Sequence, residues 1–102
     1  MRNQNTVTKS ENKVLFPLGQ IFLTIGAQDA LEEACQLPNE FLVKHQKGEW
    51  GLVSEDAVKE NDLSVKEGFQ ILSAYKPSKH EKIWIITEAN RESTTLLLPE
   101  EY

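Results

Sequence analysis

Two apolar segments near the C-terminal end, "IWIIT" and "TTLLLP" in the stretch KIWIITEANRESTTLLLPEEY, most constrain what this chain can fold into. Successive side chains of a strand point to opposite faces of a sheet, so Ile83 and Ile85 would share one face and Trp84 and Ile86 the other. A strand that is apolar on both faces has to be central, or covered on both sides. The segment at residues 83–87 therefore predicts an inner strand of a sheet.

The neighbouring segments extend this sheet. The run "FQILSAY" at residues 69–75 fits either a strand or the end of a helix by its spacing, but its aromatic and β-branched content, between Gly68 and Pro77, favours a strand. Polar turns, "KPSKHEK" and "EANRES", separate the three apolar runs, and Pro99 ends the pairing of the last one. Three consecutive strands with short turns predict an antiparallel meander.

The first half of the chain predicts a strand followed by helices. An apolar run at Gln20–Ile25 indicates a strand, and residues 27–36 show apolar side chains at helical spacing. Pro38 fits the first turn of a second helix, and Ser54 can cap a third helix over residues 55–67. We therefore predict an α+β fold with an N-terminal strand, about three helices, and a three-stranded antiparallel meander that carries the helices on one face.

The length of 102 residues favours one domain. Residues 1–13 are polar and predict a disordered tail, which leaves residues 14–102 as a single globular domain. A domain this small has little room for a deep cleft beside its core. A shallow surface site or an oligomer interface is therefore favoured over an enclosed pocket.

The charge of the chain is negative, with a net of −5 and a pI near 5.0. Most of the negative charge lies in residues 15–68, which hold ten acidic residues and four lysines. An acidic surface repels phosphate backbones, so this field argues against nucleic-acid binding. It is compatible with a basic protein partner.

Cysteine content and hydropathy predict a cytoplasmic protein that needs neither membrane nor cofactor. One cysteine, Cys35, allows no intramolecular disulfide and fits a reducing compartment. The N-terminal segment lacks the apolar core of a signal peptide, and no apolar run reaches the roughly 20 residues that span a bilayer. His45 and His80 lack metal-ligand spacing, and no glycine-rich nucleotide loop is present, so we expect no metal and no cofactor.

The turn "EANRES" and the segment "KGEWG" supply the candidate binding residues, namely Glu88, Asn90, Arg91, Glu92 and Trp50. The planar guanidinium of Arg91 can form paired hydrogen bonds with a carboxylate or phosphate, or it can pair with Glu88 or Glu92 in a solvated hairpin. Trp50 lies between two glycines, where it could be a recognition aromatic or a packing residue beneath a loop. The need of a small domain for large apolar side chains favours packing.

No nucleophile elbow or other catalytic motif is present. A metal-independent, toxin-like ribonuclease is an alternative, because helices followed by an antiparallel sheet also occur in tiny bacterial nucleases, which is an analogy of fold alone. Its residues would be His45, Tyr75, Arg91 and Thr94, acting by acid–base catalysis and charge stabilisation. As a helix residue without an identified partner, His45 is expected to be solvated or half-buried.

Several segments together resemble a group of short uncharacterised bacterial proteins found on plasmids and integrated elements, often labelled plasmid-related or as restriction-modification subunits. The segments are "GEWG", "KEN", "EGFQILSAY", "IWIITEA" and "TTLLLPEEY", and the resemblance runs from about Leu18 to Tyr102. This chain departs from the group's pattern at Glu49 and Asn90, where aspartate is usual, and at Ile25, where proline is usual. The resemblance implies an accessory role in a mobile element and no particular activity.

Three functions are compatible with the sequence. We rank first a small non-catalytic mobile-element accessory protein that binds a protein partner and modulates or inhibits a host defence or nucleic-acid enzyme by covering a basic surface. The second is the ribonuclease described above. The third is a structural homo-oligomer, in which an exposed edge strand near Leu96–Leu98 pairs with a copy of itself.

Overall fold

The computed structural model describes residues 13–77 and 81–102, and this part of the chain forms three helices and one four-stranded mixed sheet. The predicted α+β class and the three helices are confirmed. Most of the predicted tail, residues 1–12, and the turn residues 78–80 with His80 lie outside the described residues. In chain order the elements are β1 (Gln20–Leu23), α1 (Ile25–Glu33), α2 (Pro38–Gln46), α3 (Glu55–Glu67), β2 (Ile71–Tyr75), β3 (Ile83–Thr87), β4 (Ser93–Leu97) and a final 3-10 turn (Pro99–Glu101).

The sheet is not the pure antiparallel meander that the sequence predicted. Its strand order is β1-β4-β3-β2, and only β2, β3 and β4 pair antiparallel in chain order. Strand β1 lies parallel to β4. The three helices carry the chain from β1 at one edge of the sheet to β2 at the other edge, and β3 and β4 then fill the space between them. Leu96 pairs with Leu23 on one side and with Ile85 on the other, so β4 is an inner strand. The prediction of an exposed edge strand near Leu96–Leu98 is therefore wrong at Leu96.

The segment "IWIIT" forms β3 and lies between β2 and β4, as predicted for an inner strand. Ile83 and Ile85 are fully buried and pack with Leu96 against residues of α1 and α2, which include Leu31 and Phe41. Because paired residues share a face, these sheet residues define the helix-covered face. A second cluster, formed by Phe16, Trp50 and Ile71, extends the core towards Val58 and Val65 of α3.

Side-chain caps fix where α1 and α3 begin. The Thr24 hydroxyl accepts a hydrogen bond from the Ala27 N–H at 3.1 Å, and the Ser54 hydroxyl accepts one from the Ala57 N–H at 3.1 Å. The Glu101 carboxylate also accepts from the Thr24 hydroxyl at 2.5 Å and from the Gly26 N–H at 3.1 Å. The hydrogen bond from Thr24 is the largest cause that holds the pKa of Glu101 below its usual value. The 3-10 turn is thereby joined to the N-terminus of α1, where the helix dipole favours an anion.

The free edge of β2 is closed by two other segments. The Asn61 side-chain amide donates to the Leu72 carbonyl at 2.8 Å and accepts from the Leu72 N–H at 3.2 Å. Two residues further along, the Ala74 N–H donates to the Trp50 carbonyl and the Ala74 carbonyl accepts from the Leu52 N–H. The outward backbone groups of β2 are therefore satisfied at both positions.

Gly51 and Gly68 share the same left-handed backbone but differ in their surroundings. Their φ angles are +79° and +83°. A Cβ atom on Gly51 would lie 2.0 Å from the Ala74 carbonyl oxygen, whereas one on Gly68 would meet no atom within 4 Å. Substitution at Gly68 therefore costs backbone strain alone, and substitution at Gly51 also displaces the segment that closes β2.

We predict that Gly68→Ala lowers the free energy of unfolding by about 1 kcal/mol, the usual cost of a left-handed alanine. Gly51→Ala should cost about 3 kcal/mol or more, because overpacking adds to the same strain. Urea unfolding of both variants measures the difference. Equal destabilisation would show that the Gly51–Ala74 contact does not hold the sheet edge.

Candidate functional site

His45 lies on the inward face of α2 and has no exposed surface, so the expectation of a solvated or half-buried side chain is wrong. Its Nδ1 atom is 2.5 Å from the Ser73 hydroxyl on β2, and its Nε2 atom is 2.9 Å from the Thr87 hydroxyl on β3. Both hydroxyls are themselves fully buried. The imidazole is buried because the helix-covered face of the sheet offers a hydrogen-bond partner to each ring nitrogen.

The proton positions in this network follow from its last bond. The Thr94 hydroxyl donates to the Leu18 carbonyl at 2.7 Å, so its oxygen can only accept from the Thr87 hydroxyl, which lies 2.7 Å away. The Thr87 oxygen must then accept from His45, which requires a proton on Nε2. Nδ1 is left as an acceptor for the Ser73 hydroxyl. The network therefore assigns the neutral Nε2–H tautomer to His45.

Burial and charge keep this imidazole neutral. Burial is the larger cause and the positive charge of Arg91 the smaller one, and together they lower the pKa of His45 from 6.5 to about 3. A second proton would sit on Nδ1 and face the Ser73 hydroxyl proton. His45 thus holds one protonation state across the neutral range and contacts no solvent.

Phe16 lies between His45 and Arg91. Its ring centroid is 5.1 Å from that of His45 in an edge-on arrangement, and the Arg91 guanidinium carbon is 5.6 Å from the same centroid. Trp50 stacks on Phe16 at 6.2 Å and donates its indole N–H to the Asp62 carboxylate at 3.2 Å. Trp50 is only 3% exposed. It is therefore a packing residue, as the sequence favoured, and not an exposed recognition aromatic.

The Arg91 guanidinium donates hydrogen bonds to backbone carbonyls at the end of α3 and in the β3–β4 turn. It donates to the Ser64 and Phe69 carbonyls at 2.8 Å each, and to the Glu88 and Ala89 carbonyls at 3.0 and 3.2 Å. Ser64 lies in the last turn of α3, and its carbonyl also accepts from the Gly68 N–H at 2.8 Å. The negative end of the helix dipole favours a cation at this place. Arg91 therefore fastens the β3–β4 turn to the end of α3. The described residues show no ion pair between Arg91 and either Glu88 or Glu92.

The remaining turn residues lie at the surface. Glu88, Asn90 and Glu92 are exposed. The Asn90 side-chain oxygen accepts from the Glu92 N–H at 2.9 Å, and the Glu92 carbonyl accepts from the Gln20 N–H at 2.9 Å. The turn is thereby also attached to the start of β1.

The four residues of the ribonuclease hypothesis come close together but do not line an open cleft. His45 and Thr94 are joined through Thr87 and have no exposed surface. Tyr75 is 5% exposed, and its hydroxyl donates to the Glu49 carbonyl at 2.6 Å. Burial raises the pKa of Tyr75 to about 12. Arg91 is half-buried and forms the hydrogen bonds described above, so it is the one member of the four that presents surface.

An open groove of about 580 Å³ lies between α3 and β2, and sequence analysis missed it. Leu63 and Phe69 line it and are 51% and 54% exposed. Val58 and Val65 are seven residues apart and point to the core, while Leu63 is rotated by roughly 140° from Val58 and roughly 160° from Val65 at 100° per residue. That offset was the available signal, because it sets an apolar residue on a face that the core does not use. The other lining residues are Ala57, Glu60, Asn61, Ser64, Gln70 and Leu72.

Comparison of the chain with known protein families, with curated proteins and with solved structures gave no match. Within residues 13–77 and 81–102, no group of three or more histidine, cysteine or acidic side chains is placed to hold a metal ion. The helices in the same part of the chain are too short or too polar to cross a membrane.

We predict that the free energy of unfolding falls as the pH is lowered from about 6.5 towards 3, with a His45 contribution of about 1.4 kcal/mol per pH unit. The sign follows because in this window the unfolded chain binds a proton at His45 and the folded chain does not. His45→Gln removes the titrating group, so its stability should depend on pH less steeply by that amount. Urea titrations between pH 7 and pH 4 measure both slopes.

His80→Gln is the matched control, because it measures the part of the slope that belongs to the chain's other imidazole. An unchanged slope in His45→Gln would contradict a buried neutral His45.

We also predict that Arg91→Lys lowers the free energy of unfolding by about 1–3 kcal/mol although it keeps the charge, because the single ammonium nitrogen of lysine cannot replace both guanidinium nitrogens, one of which bonds the Ser64 carbonyl and the other the turn. Lys66→Ala, an exposed change on the same helix, should alter stability by less than about 0.5 kcal/mol. Urea unfolding at neutral pH compares the variants. Wild-type stability of Arg91→Lys would mean that this side chain is free for another role.

Proposed function

We propose that this protein is a small non-catalytic module that binds a protein partner, and that the partner docks in the groove between α3 and β2. The observation that carries the proposal is the exposure of Leu63 and Phe69 in one groove. Grouped exposed apolar side chains are typical of interaction sites. A partner that covers them would gain about 25 cal/mol for each Å² of apolar surface removed from water.

The charge around the groove indicates the chemistry of the partner. Helix α3 carries five acidic residues and two lysines, and one of the acids, Glu60, lines the groove itself. A segment with apolar side chains flanked by lysine or arginine complements this surface. An amphipathic basic helix laid along the groove is such a segment.

The proposed biological setting is the one that the resemblance implies. An accessory protein of a mobile element could use this acidic surface to cover a basic surface of a host defence or nucleic-acid enzyme. The net charge of −5 supports such a pairing, since basic surfaces are what nucleic-acid enzymes present to their substrates.

The ribonuclease alternative is less well supported. Metal-independent RNA cleavage needs acid–base groups within hydrogen-bond reach of the substrate. His45 and Thr94 have no exposed surface, and both form hydrogen bonds to other side chains. Intact RNA after prolonged incubation with concentrated protein is the expected result, whereas cleavage that His45→Ala abolishes would restore the alternative.

We predict that a photo-crosslinking amino acid at position 63 captures a protein partner in bacterial cells, while the same residue at Leu37 does not. Leu37 is 67% exposed and is the residue before α2, outside the groove, so it controls for exposure. Phe69→Ser should reduce the adduct at position 63, because it removes the second apolar side chain of the groove. Glu60→Lys should also reduce it, because it reverses a lining charge.

Retained circular dichroism spectra of both variants would show that the fold is intact. Equal adducts at positions 37 and 63, or an adduct indifferent to Phe69→Ser and Glu60→Lys, would contradict docking in the groove.

A further inference from the structure

Strand β1 forms the other edge of the sheet, and its outward backbone groups are open. The Gln20 and Thr24 N–H groups donate to the Glu92 and Leu96 carbonyls of the β4 side. In a parallel pair, alternate residues of a strand bond the same neighbour, so the N–H and C=O groups of Ile21 and Leu23 point away from β4. Among residues 13–77 and 81–102, no backbone hydrogen bond is formed by these outward groups.

The two edges of the sheet differ in whether their outward backbone groups are hydrogen-bonded. The outward groups of β2 are bonded to Asn61 and to the segment at residues 50–52, as described above. The β1 edge has no such cover in the described part of the chain, and Ile21 and Phe22 are 41% and 49% exposed. An uncovered apolar edge strand is a template for pairing with another strand.

The charge pattern of the chain points to a second copy as the partner strand. Residues 14–28 contain no charged side chain, although the whole chain carries a net charge of −5. Two copies carry the same net charge, but two β1 strands would meet without like charges on the strands themselves. The Glu101 carboxylate beside Thr24 is held by hydrogen bonds within its own subunit. Natural edge strands are usually protected by inward or flanking charges, and this stretch has none.

We propose that two copies of this chain pair through antiparallel β1 strands about a twofold axis perpendicular to the sheet. Ile21 exchanges both backbone hydrogen bonds with Leu23 of the partner subunit, and Leu23 exchanges them with Ile21 of the partner subunit. Phe22 lies opposite Phe22 of the partner subunit in a non-hydrogen-bonded pair, where side chains approach most closely. The result is a continuous eight-stranded sheet.

This dimer does not depend on the function proposed for the groove, because β1 and β2 lie at opposite edges of the sheet. The dimer places one groove at each end of the eight-stranded sheet. It can therefore form whether or not the groove binds a partner, and a monomer could still use the groove.

Sedimentation equilibrium over a dilution series tests the pairing. The wild type should approach twice the 11.6 kDa chain mass at high concentration. Phe22→Lys places two like charges opposite each other at the twofold axis and should remain at 11.6 kDa under the same conditions. Leu37→Lys, an exposed change elsewhere, should behave as the wild type. A wild type that stays monomeric overturns the proposal, and so does a Phe22→Lys variant that dimerises equally.

Disulfide trapping tests the register and does not require the lysine variant to fold. In a Cys35→Ser background, Phe22→Cys should form a covalent dimer under mild oxidation, because directly opposed Cβ atoms lie close enough for a disulfide. Gln20→Cys is the matched control, since it lies on the same strand and sheet face but would oppose Thr24 of the partner subunit. A covalent dimer with Phe22→Cys alone supports the pairing, whereas equal trapping at both positions, or none, overturns it.

Discussion

The fold depends on one buried chain of hydrogen bonds that begins at Ser73 and runs through His45, Thr87 and Thr94 to the Leu18 carbonyl. It joins α2 to β2, β3 and β4, and it reaches the segment that leads into β1. Each hydroxyl donates once in the same direction, so every proton has one acceptor. Buried polar networks specify one arrangement only when all their members are satisfied, and this one is satisfied at every step.

This chain of bonds decides what the polar side chains can do. Three of the residues that suggest acid–base chemistry in the sequence lie inside the fold. His45 is neutral there, and the hydroxyls of Tyr75 and Thr94 form hydrogen bonds with other groups of the protein. Arg91 acts on the outside of the same region, since it contacts Phe16 and fastens the β3–β4 turn to α3. By contrast, the groove beside α3 and the edge of β1 carry exposed apolar groups.

The sequence could predict the features whose causes are local. The apolar run "IWIIT" identified an inner strand, the spacing of apolar residues found α1, and Pro38 and Ser54 marked where α2 and α3 begin. Features that depend on distant pairs were missed. His45 is bonded to residues 28 and 42 positions away, and no local pattern shows that a serine and a threonine on two later strands will face it. The parallel pairing of β1 with β4 is likewise decided by how the helices cross the sheet.

The candidate site differed from its sequence prediction for the same reason. Glu88, Asn90 and Glu92 are exposed in the turn, but the bonds of Arg91 go to carbonyls of Ser64 and Phe69, which are distant in the chain. A sequence shows that an arginine can bind a carboxylate. It cannot show that the backbone carbonyls of distant residues lie closer to the guanidinium than the neighbouring carboxylates do. The groove was hidden because Leu63 alone breaks the apolar pattern of α3, and its importance depends on Phe69 beyond the helix end.

The buried His45 imidazole is neutral, and its protonation can be measured directly. Two-dimensional ¹⁵N–¹H correlation spectra of the ring nitrogens, recorded through a pH titration, report both tautomer and protonation. The hydrogen-bond network predicts a neutral Nε2–H ring for His45 that does not titrate until the protein unfolds or the pH approaches about 3. A His45 ring that titrates near 6.5 in the folded protein, or that carries its proton on Nδ1, would contradict the network and return this residue to the candidates for catalysis.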